Sequence, residues 1–359
     1  MPSIRLHIAG IVWLFLAVAA GHSFAQVSGA AAPFSRMGFS ARGTGLGNAG
    51  TAIATSGELH PYYNPALVGF TEYYDASVTY TFLSLDRTLN FVSFLGKIGP
   101  TAGIGAAWIN AGIGNIDARN RDGKQTGTLS TSENLFMLSF ANRFTDALSL
   151  GLTLRGYLAS LVAQIRPSFT IGLDAGALYR FSLDSLTYLS LAVSVADVLS
   201  QYRWDTTPIY DQQGLTTIDP LPLALRAGIA LQWEQLFGWH TIVLAADVQL
   251  LTASLEGRRT TFIVENGIAR PTLETESLRR SETHLRLGAM LQPLRILKFR
   301  IGVDRLGLQG IGFFELAKPA FGFSVEYPID RVVAALDYTF MLEPNAPFGL
   351  NFLSLGVKF

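Results

Sequence analysis

The chain has no cysteine, which excludes a disulfide framework, a thiolate metal site and a lipid-modified cysteine behind a leader. Charge is scarce as well: 15% of residues are charged and 49% hydrophobic, against a charged share of about 25% in ordinary soluble domains. The 27 basic and 27 acidic residues cancel, so there is no electrostatic case for a nucleic-acid partner. After the first 25 residues no apolar run reaches the ~18 residues that a membrane helix requires, which excludes helical spans. Catalytic patterns are missing too. There is no G-x-S-x-G elbow and no H-E-x-x-H, and of five histidines two lie near the start while His60, His240 and His284 are scattered. Neither an enzyme nor a cofactor or metal is expected.

An apolar excess without a helical span must be spread over many short segments. A membrane β-barrel does this, because every second residue faces lipid while the backbone hydrogen bonds close on themselves. The last eleven residues, GLNFLSLGVKF, show the pattern: Leu353, Leu355, Val357 and Phe359 fall on one face of an extended strand, Ser354, Gly356 and Lys358 on the other. At the other end, Arg5, an apolar run from Ile8 to Ala20 and the exit Ser23-Phe24-Ala25 fit a secretory signal over residues 1–25. Residues 26–72 lack alternation and are rich in glycine and alanine. Residues 73–359 read as the barrel.

That barrel region divides into about fourteen strands, an even number as bacterial barrels require. They are expected near Tyr74–Leu85, Thr88–Lys97, Thr101–Ala111, Glu133–Arg143, Ala147–Leu158, Phe169–Phe181 and Thr187–Asp197. Seven more follow near Pro222–Trp233, Thr241–Thr252, Thr283–Gln292, Ile296–Arg305, Pro319–Tyr327, Arg331–Met341 and Gly349–Phe359. Connection lengths sort by parity. Gly112–Ser132, Val198–Leu221 and Ala253–Glu282 are long and fall on alternate connections, whereas Thr145-Asp146, Pro293-Leu294-Arg295 and Pro328-Ile329-Asp330 are tight. With both termini in the periplasm the long connections are extracellular. The pairs Asp122-Gly123 and Asn266-Gly267, with the β-branched run Thr260–Val264, allow strands to continue above the membrane.

Alternation also assigns faces. Phe299, Ile301 and Val303, Phe321, Phe323, Val325 and Tyr327, and Val332, Ala334, Leu336, Tyr338 and Phe340 face lipid. The opposite face carries Lys298, Arg300, Asp304, Ser324, Glu326, Asp337 and Thr339. Together with Arg155, Asp174, Arg180, Arg226, Asp247, Arg286 and Lys358 this puts charges of both signs in the lumen, where mutual pairing and anchoring of a luminal segment is favoured over a proton relay or selectivity ring. Tyr188, Trp233, Trp239, Tyr327 and Tyr338 lie near strand ends or bands, as aromatic girdles do.

The region 26–72 contains Gly45-Leu46-Gly47-Asn48-Ala49-Gly50, a match to G-x-G-x-x-G, but no βαβ unit surrounds it. These glycines read as a compact backbone fold, with cofactor binding the remote alternative. The stretch from Gly38 through Gly43, Gly45, Gly47 and Gly50, followed by Tyr62-Tyr63-Asn64-Pro65-Ala66, resembles the amino-terminal segment of two related groups: the long-chain fatty-acid transporters (FadL) and the PorV/PorQ outer-membrane proteins, which include a component of type IX secretion. The chain departs from the PorV pattern at Gly57-Glu58-Leu59-His60 and at Ala66-Leu67.

The resemblance implies an all-β fold, a transmembrane barrel of about 14 strands with residues 26–72 as a plug in the lumen, located in the outer membrane of a diderm bacterium. It also implies that a closing strand ending on an aromatic, here Phe359, is the signal for barrel assembly. Implied partners are outer-membrane lipid and the barrel assembly machinery, with either secretion-system proteins or a hydrophobic ligand. Secretion or surface attachment is the favoured role by the Gly-Ala-Arg-rich segment; uptake of hydrophobic small molecules, with a kinked third strand as lateral exit, and a purely structural role are the alternatives. In Thr101–Ala111 an inward stripe at Gly103 and Gly105 is expected to receive Asn64-Pro65-Ala66 or the Gly43–Gly50 stretch.

Overall fold

The computed structural model describes residues 30–359 except 56, 59, 211–214, 266–267, 309–312 and 345. The signal expected at 1–25 and the Asn266-Gly267 pair lie outside the described residues. Fourteen strands close into one antiparallel barrel. The first seven are β1 (Asp75–Phe82), β2 (Arg87–Ile98), β3 (Ala102–Arg119), β4 (Gln125–Arg143), β5 (Leu148–Ser160), β6 (Ser168–Ser182) and β7 (Thr187–Val198). A separate hairpin, β8 (Gln201–Asp205) and β9 (Thr216–Pro220), comes next. The barrel resumes with β10 (Leu223–Glu234), β11 (Thr241–Glu265), β12 (Ile268–Leu294), β13 (Leu297–Gly307), β14 (Lys318–Ile329), β15 (Val332–Glu343) and β16 (Ala346–Lys358). Every barrel strand pairs with its neighbours in sequence except that β7 pairs with β10. Closure runs from Asp75↔Lys358 to Phe82↔Asn351.

Period-two alternation separates two surfaces. On the outside, Leu138, Leu152 and Ile301 are each more than 60% exposed, whereas inward Ser324, Asp337 and Thr339 are 0% exposed. Residues one apart lie on opposite faces of a strand, so the face assignments for β13 to β15 emerge as the alternation requires. The long connections differ in form from simple loops. Gly112–Ser132 and Ala253–Glu282 are continuations of β3–β4 and β11–β12, so these strands reach 18 to 27 residues, well beyond the ~9–11 needed to span a bilayer. The β3–β4 tip turns at residues 120–124, where Gly123 takes a left-handed φ of 79°.

Val198–Leu221 instead folds inward. Asp197 (φ 63°) and Leu199 (φ 67°) leave the strand conformation, ending β7 and swinging β8–β9 toward the barrel axis, where Tyr202, Trp204 and Leu221 are buried. The third strand, by contrast, shows no break where a lateral kink is implied. Its ladders to β2 and β4 are continuous from Ala102 to Gly112, and the first register shift comes after Ile113.

Residues 30–72 run inside the wall. They form a 3-10 turn at Pro33–Arg36, a short helix at Ala41–Gly45 and a second 3-10 turn at Pro65–Phe70. Local chemistry starts two of these: Ser40 Oγ accepts from Gly43 N at 3.0 Å and Asn64 Oδ1 from Ala66 N at 2.9 Å, which satisfies amides that a helix start leaves without partners. Nearly the whole segment is buried.

Candidate functional site

The site is the lumen, and its chemistry changes along the barrel axis. Toward the end that carries the short turns, wall charges and the luminal segment form one network. Arg42 donates through Nε to Asp337 at 2.9 Å and through Nη1 to Asp75 at 3.0 Å and the Gly57 carbonyl at 3.1 Å. Glu58, from the same segment, accepts from Arg300 at 2.5 and 3.0 Å and from Lys298 at 3.3 Å. Lys298 and Lys358 both reach Glu326, at 2.9 and 2.6 Å. Arg300 and Asp337 are bridged by Ser324.

Farther along, Asp304 accepts from Asn48 at 2.8 Å and pairs with Arg286 at 2.7 Å, and Asp247 accepts from the Thr51 amide at 2.8 Å. Arg226 donates to the Tyr62 and Tyr63 carbonyls, both at 3.4 Å, while Arg155 pairs with Asp174 at 2.6 Å and Asp197 at 3.3 Å. Arg180 stands apart at the rim, its guanidinium 4.0 Å from the Tyr188 ring centroid. The structure therefore gathers the wall charges that parity turns inward around residues 42–64 and leaves Arg180 outside that network. The wall partners of Arg42 and Glu58 were invisible to strand alternation, since both residues sit in a segment without periodicity.

Electrostatics set the protonation of the luminal segment. Burial pushes the Glu58 carboxyl up, but Arg300 and Lys298 outweigh it and hold the group below its ordinary range. For His60, burial reinforced by Arg42 pushes the imidazole down to about 4, so it is neutral near pH 7. A buried charge is tolerable only when paired and hydrogen-bonded. Glu58 and Arg42 find their ion-pair partners on the wall, and Arg42 adds a hydrogen bond to the Gly57 carbonyl of the segment itself.

Close backbone approach fixes where the segment lies. A Cβ at Gly302 would stand 2.2 Å from Gly47 N, and one at Gly288 2.4 Å from the Leu46 carbonyl, so β12 and β13 receive the Gly43–Gly50 stretch. Gly151 and Gly176 on β5 and β6 receive Pro65 and Asn64, with clearances of 2.5 and 1.9 Å. The expectation that β3 holds either of those stretches is corrected: a Cβ at Gly103 would stand 2.2 Å from the Val68 carbonyl oxygen, and one at Gly105 3.0 Å from Leu95 and 3.4 Å from Pro61. A glycine stripe in sequence says that a backbone comes near, not which one. Within the G-x-G-x-x-G match, the missing side chain of Gly50 makes room for the Tyr63 ring, as does that of Gly43 just before it, and that of Gly45 for Thr339. The motif's small residues are thus used for packing rather than to cradle a pyrophosphate.

Toward the end with the long hairpins the lumen becomes apolar. Leu89 and Phe91 (β2), Ile109 (β3), Leu135 and Met137 (β4), Tyr157 (β5), Met341 (β15) and Phe352 (β16) point inward and are buried. Phe34, Phe39 and Tyr62 meet them from the luminal segment and Tyr202 and Trp204 from β8–β9. The rings form a relay: Phe34 to Tyr157 at 6.5 Å, Tyr157 to Tyr202 at 6.3 Å and Tyr202 to Trp204 at 5.5 Å, all edge-on. Sequence reading assigned the inner face to polar residues and missed this band. The available signal was a strand apolar on both faces, as in β2, where Leu89 and Phe91 point in while Val92 and Phe94 point out.

Barrel, inner segment and two-zone lumen together define a closed fourteen-stranded β-barrel whose interior is occupied by its own chain. No protein-family model matches the sequence, and no curated protein matches it. Solved structures match by fold. The chain is similar to the Pseudomonas putida toluene transporter TodX, with a TM-score of 0.51 and 12% identity over 89% of this chain and 96% of that one. A TodX variant described as a monoaromatic hydrocarbon channel gives a TM-score of 0.54 and 13% identity over 89% and 97%. CymD, also a monoaromatic hydrocarbon channel, gives 0.51 and 11% over 89% and 97%. At such identities the likeness is one of architecture.

Proposed function

We propose that this protein is an outer-membrane channel for hydrophobic small molecules, with residues 30–72 acting as a plug, the termini in the periplasm and the long hairpins outside the cell. The observation that carries this reading is the inward-facing apolar band. A water-filled pore has a polar interior, and Leu89, Phe91, Ile109, Leu135 and Phe352 turned into the lumen offer an aqueous solute nothing. An apolar solute gains about 25 cal/mol for each Å² it buries there. Fold likeness to hydrocarbon channels supports the same reading. The role in secretion or surface attachment implied by the amino-terminal resemblance would instead use the exposed β3–β4 hairpin as a partner surface.

Flux measurements on reconstituted protein separate the two. Vesicles carrying the protein should take up toluene or a long-chain fatty acid, and Met137→Glu or Ile109→Asp should cut the rate at least tenfold while the barrel remains heat-modifiable. Flux equal to that of empty vesicles, with a secreted protein co-purifying in mild detergent, would favour the secretion role.

A further inference from the structure

A second site lies at the end of the barrel that carries the short turns, away from the apolar band and outside the charge network described above. Beside the β4–β5 and β6–β7 turns is a cavity of about 450 Å³ lined by Phe70, Arg143, Tyr179, Arg180, Phe181 and Tyr188, with Asp146, Ala147 and Ser182 at its edge. Its position follows from parity: Arg143 and Arg180 are on the inward face, whereas Tyr179 is 42% exposed on the outward face. The cavity therefore crosses the rim and has walls from both the lumen side and the bilayer side.

Among the inward arginines, Arg42, Arg155, Arg286 and Arg300 each have a carboxylate partner, and Arg226, which has none, gives its donors to the Tyr62 and Tyr63 carbonyls of the luminal segment. Arg143 and Arg180 form no ion pair among the described residues, and the Nε of each is buried without a hydrogen bond. Arg143 gives one Nη2 bond to the Pro100 carbonyl at 3.1 Å and lies 5.5 Å from the Phe70 ring centroid. Arg180 lies over Tyr188. The nearby carboxylates make no direct contact with the pair: Asp146 and Glu72 are exposed, and Glu234 accepts from Gln232 at 3.1 Å. Two cations stacked on rings, with donors unused in a partly buried space, form a receptor for an anion, and the ring faces of Tyr179 and Phe181 supply an apolar contact beside it.

We infer that this rim cavity binds the phosphodiester head of an anionic membrane phospholipid, with Arg143 and Arg180 on the phosphate and the acyl chains running outward past Tyr179. The opening toward the bilayer side selects a lipid over a solute released from the lumen. The inference rests on the membrane placement proposed above, but not on transport.

Native mass spectrometry of the full chain in mild detergent, with phosphatidylglycerol or phosphatidylcholine added, tests it. One phosphatidylglycerol per chain should remain bound, the zwitterionic lipid should be lost, and the double variant Arg143→Gln, Arg180→Gln should weaken retention at least tenfold. Arg143→Lys with Arg180→Lys should restore part of it and so separates charge from fold. Equal retention of both lipids, or by the double glutamine variant, overturns the inference. Displacement of the lipid by an equimolar free fatty acid also overturns it, assigning the cavity to a transported carboxylate. Toluene flux measured on the same variants distinguishes failure of this site, with flux intact, from failure of the channel reading, with flux absent throughout.

Discussion

At the scale of residues, the luminal segment is held by charges that have no water to fall back on. Removing one partner of a buried ion pair strands the other, at a cost of about 3–5 kcal/mol. Glu58→Gln should therefore destabilise the segment by that order, because Arg300 loses the carboxylate that holds it to the segment while Lys298 keeps only Glu326. Limited proteolysis in detergent should then cut within residues 30–72, which the parent protein protects. His60 supplies a pH response of definite sign. Its ring sits against Tyr63 and within 3.4 Å of Ser40 Oγ, and its folded value near 4 lies below the ordinary 6.5. The unfolded segment then binds the extra proton between those values, so stability is full above about pH 6.5 and falls as pH drops toward 4, by at most about 3 kcal/mol. Glu58, also held low, adds a loss of the same sign only below its ordinary value of 4.5. Planar-bilayer conductance should rise on acidification from pH 6.5 to 4.5, and His60→Gln should flatten that rise; an unchanged rise would assign it to other groups.

Elements bring those residues together through close contact rather than through charge. Gly302 and Gly47 touch across the β13 wall, and Gly47 has a φ of 60°, so neither position accepts a side chain without moving backbone. Gly302→Leu should displace the short helix and raise conductance, whereas Gly105→Ala, whose Cβ would meet the flexible end of Leu95 at 3.0 Å and Pro61 only at 3.4 Å, should change little. A matching effect of both would mean that strand weakening, not docking, governs the result. The β8–β9 hairpin is the other element with a consequence. It occupies the space above the end of β7 and joins the aromatic band through Tyr202 and Trp204. Trp204 fluorescence should shift when an apolar solute enters, and Trp204→Ala should remove the shift while leaving the fold intact.

For the whole molecule, the exposed β3–β4 tip and the short turns predict a protease pattern. In intact cells trypsin should cut at the β3–β4 tip, where Arg119, Arg121 and Lys124 surround an exposed turn, and should spare the Thr145-Asp146 and Asp330 turns. The reverse pattern would invert the orientation. Barrel closure depends on the last strand: Tyr74 and Phe359 exchange backbone bonds at 2.9 and 3.0 Å and their rings stack at 5.4 Å. Deleting Phe359 should lower the yield of heat-modifiable barrel, and a normal yield would show that β16 closes without it.

Much of this architecture was legible in the chain because a barrel strand is a local object. Alternation with period two marks each strand and its two faces without reference to any other, and the scarcity of charge with no long apolar run left few other ways to distribute the apolar residues. Fourteen strands, their boundaries within a few residues outside the long hairpins, and the inward charges from Arg155 to Lys358 followed from that alone. Pairings across the lumen could not follow. Arg42 meets Asp337 and Glu58 meets Arg300 over separations of 295 and 242 residues, and a segment without periodicity gives no rule for which wall it will touch. The apolar band was hidden for a related reason: inside and outside are both apolar there, and only closure of the sheet decides which face of β2 is the interior. The inward turn at Asp197 and the rim cavity depend likewise on where strands end relative to their neighbours, a property of the closed barrel and of no single stretch of sequence.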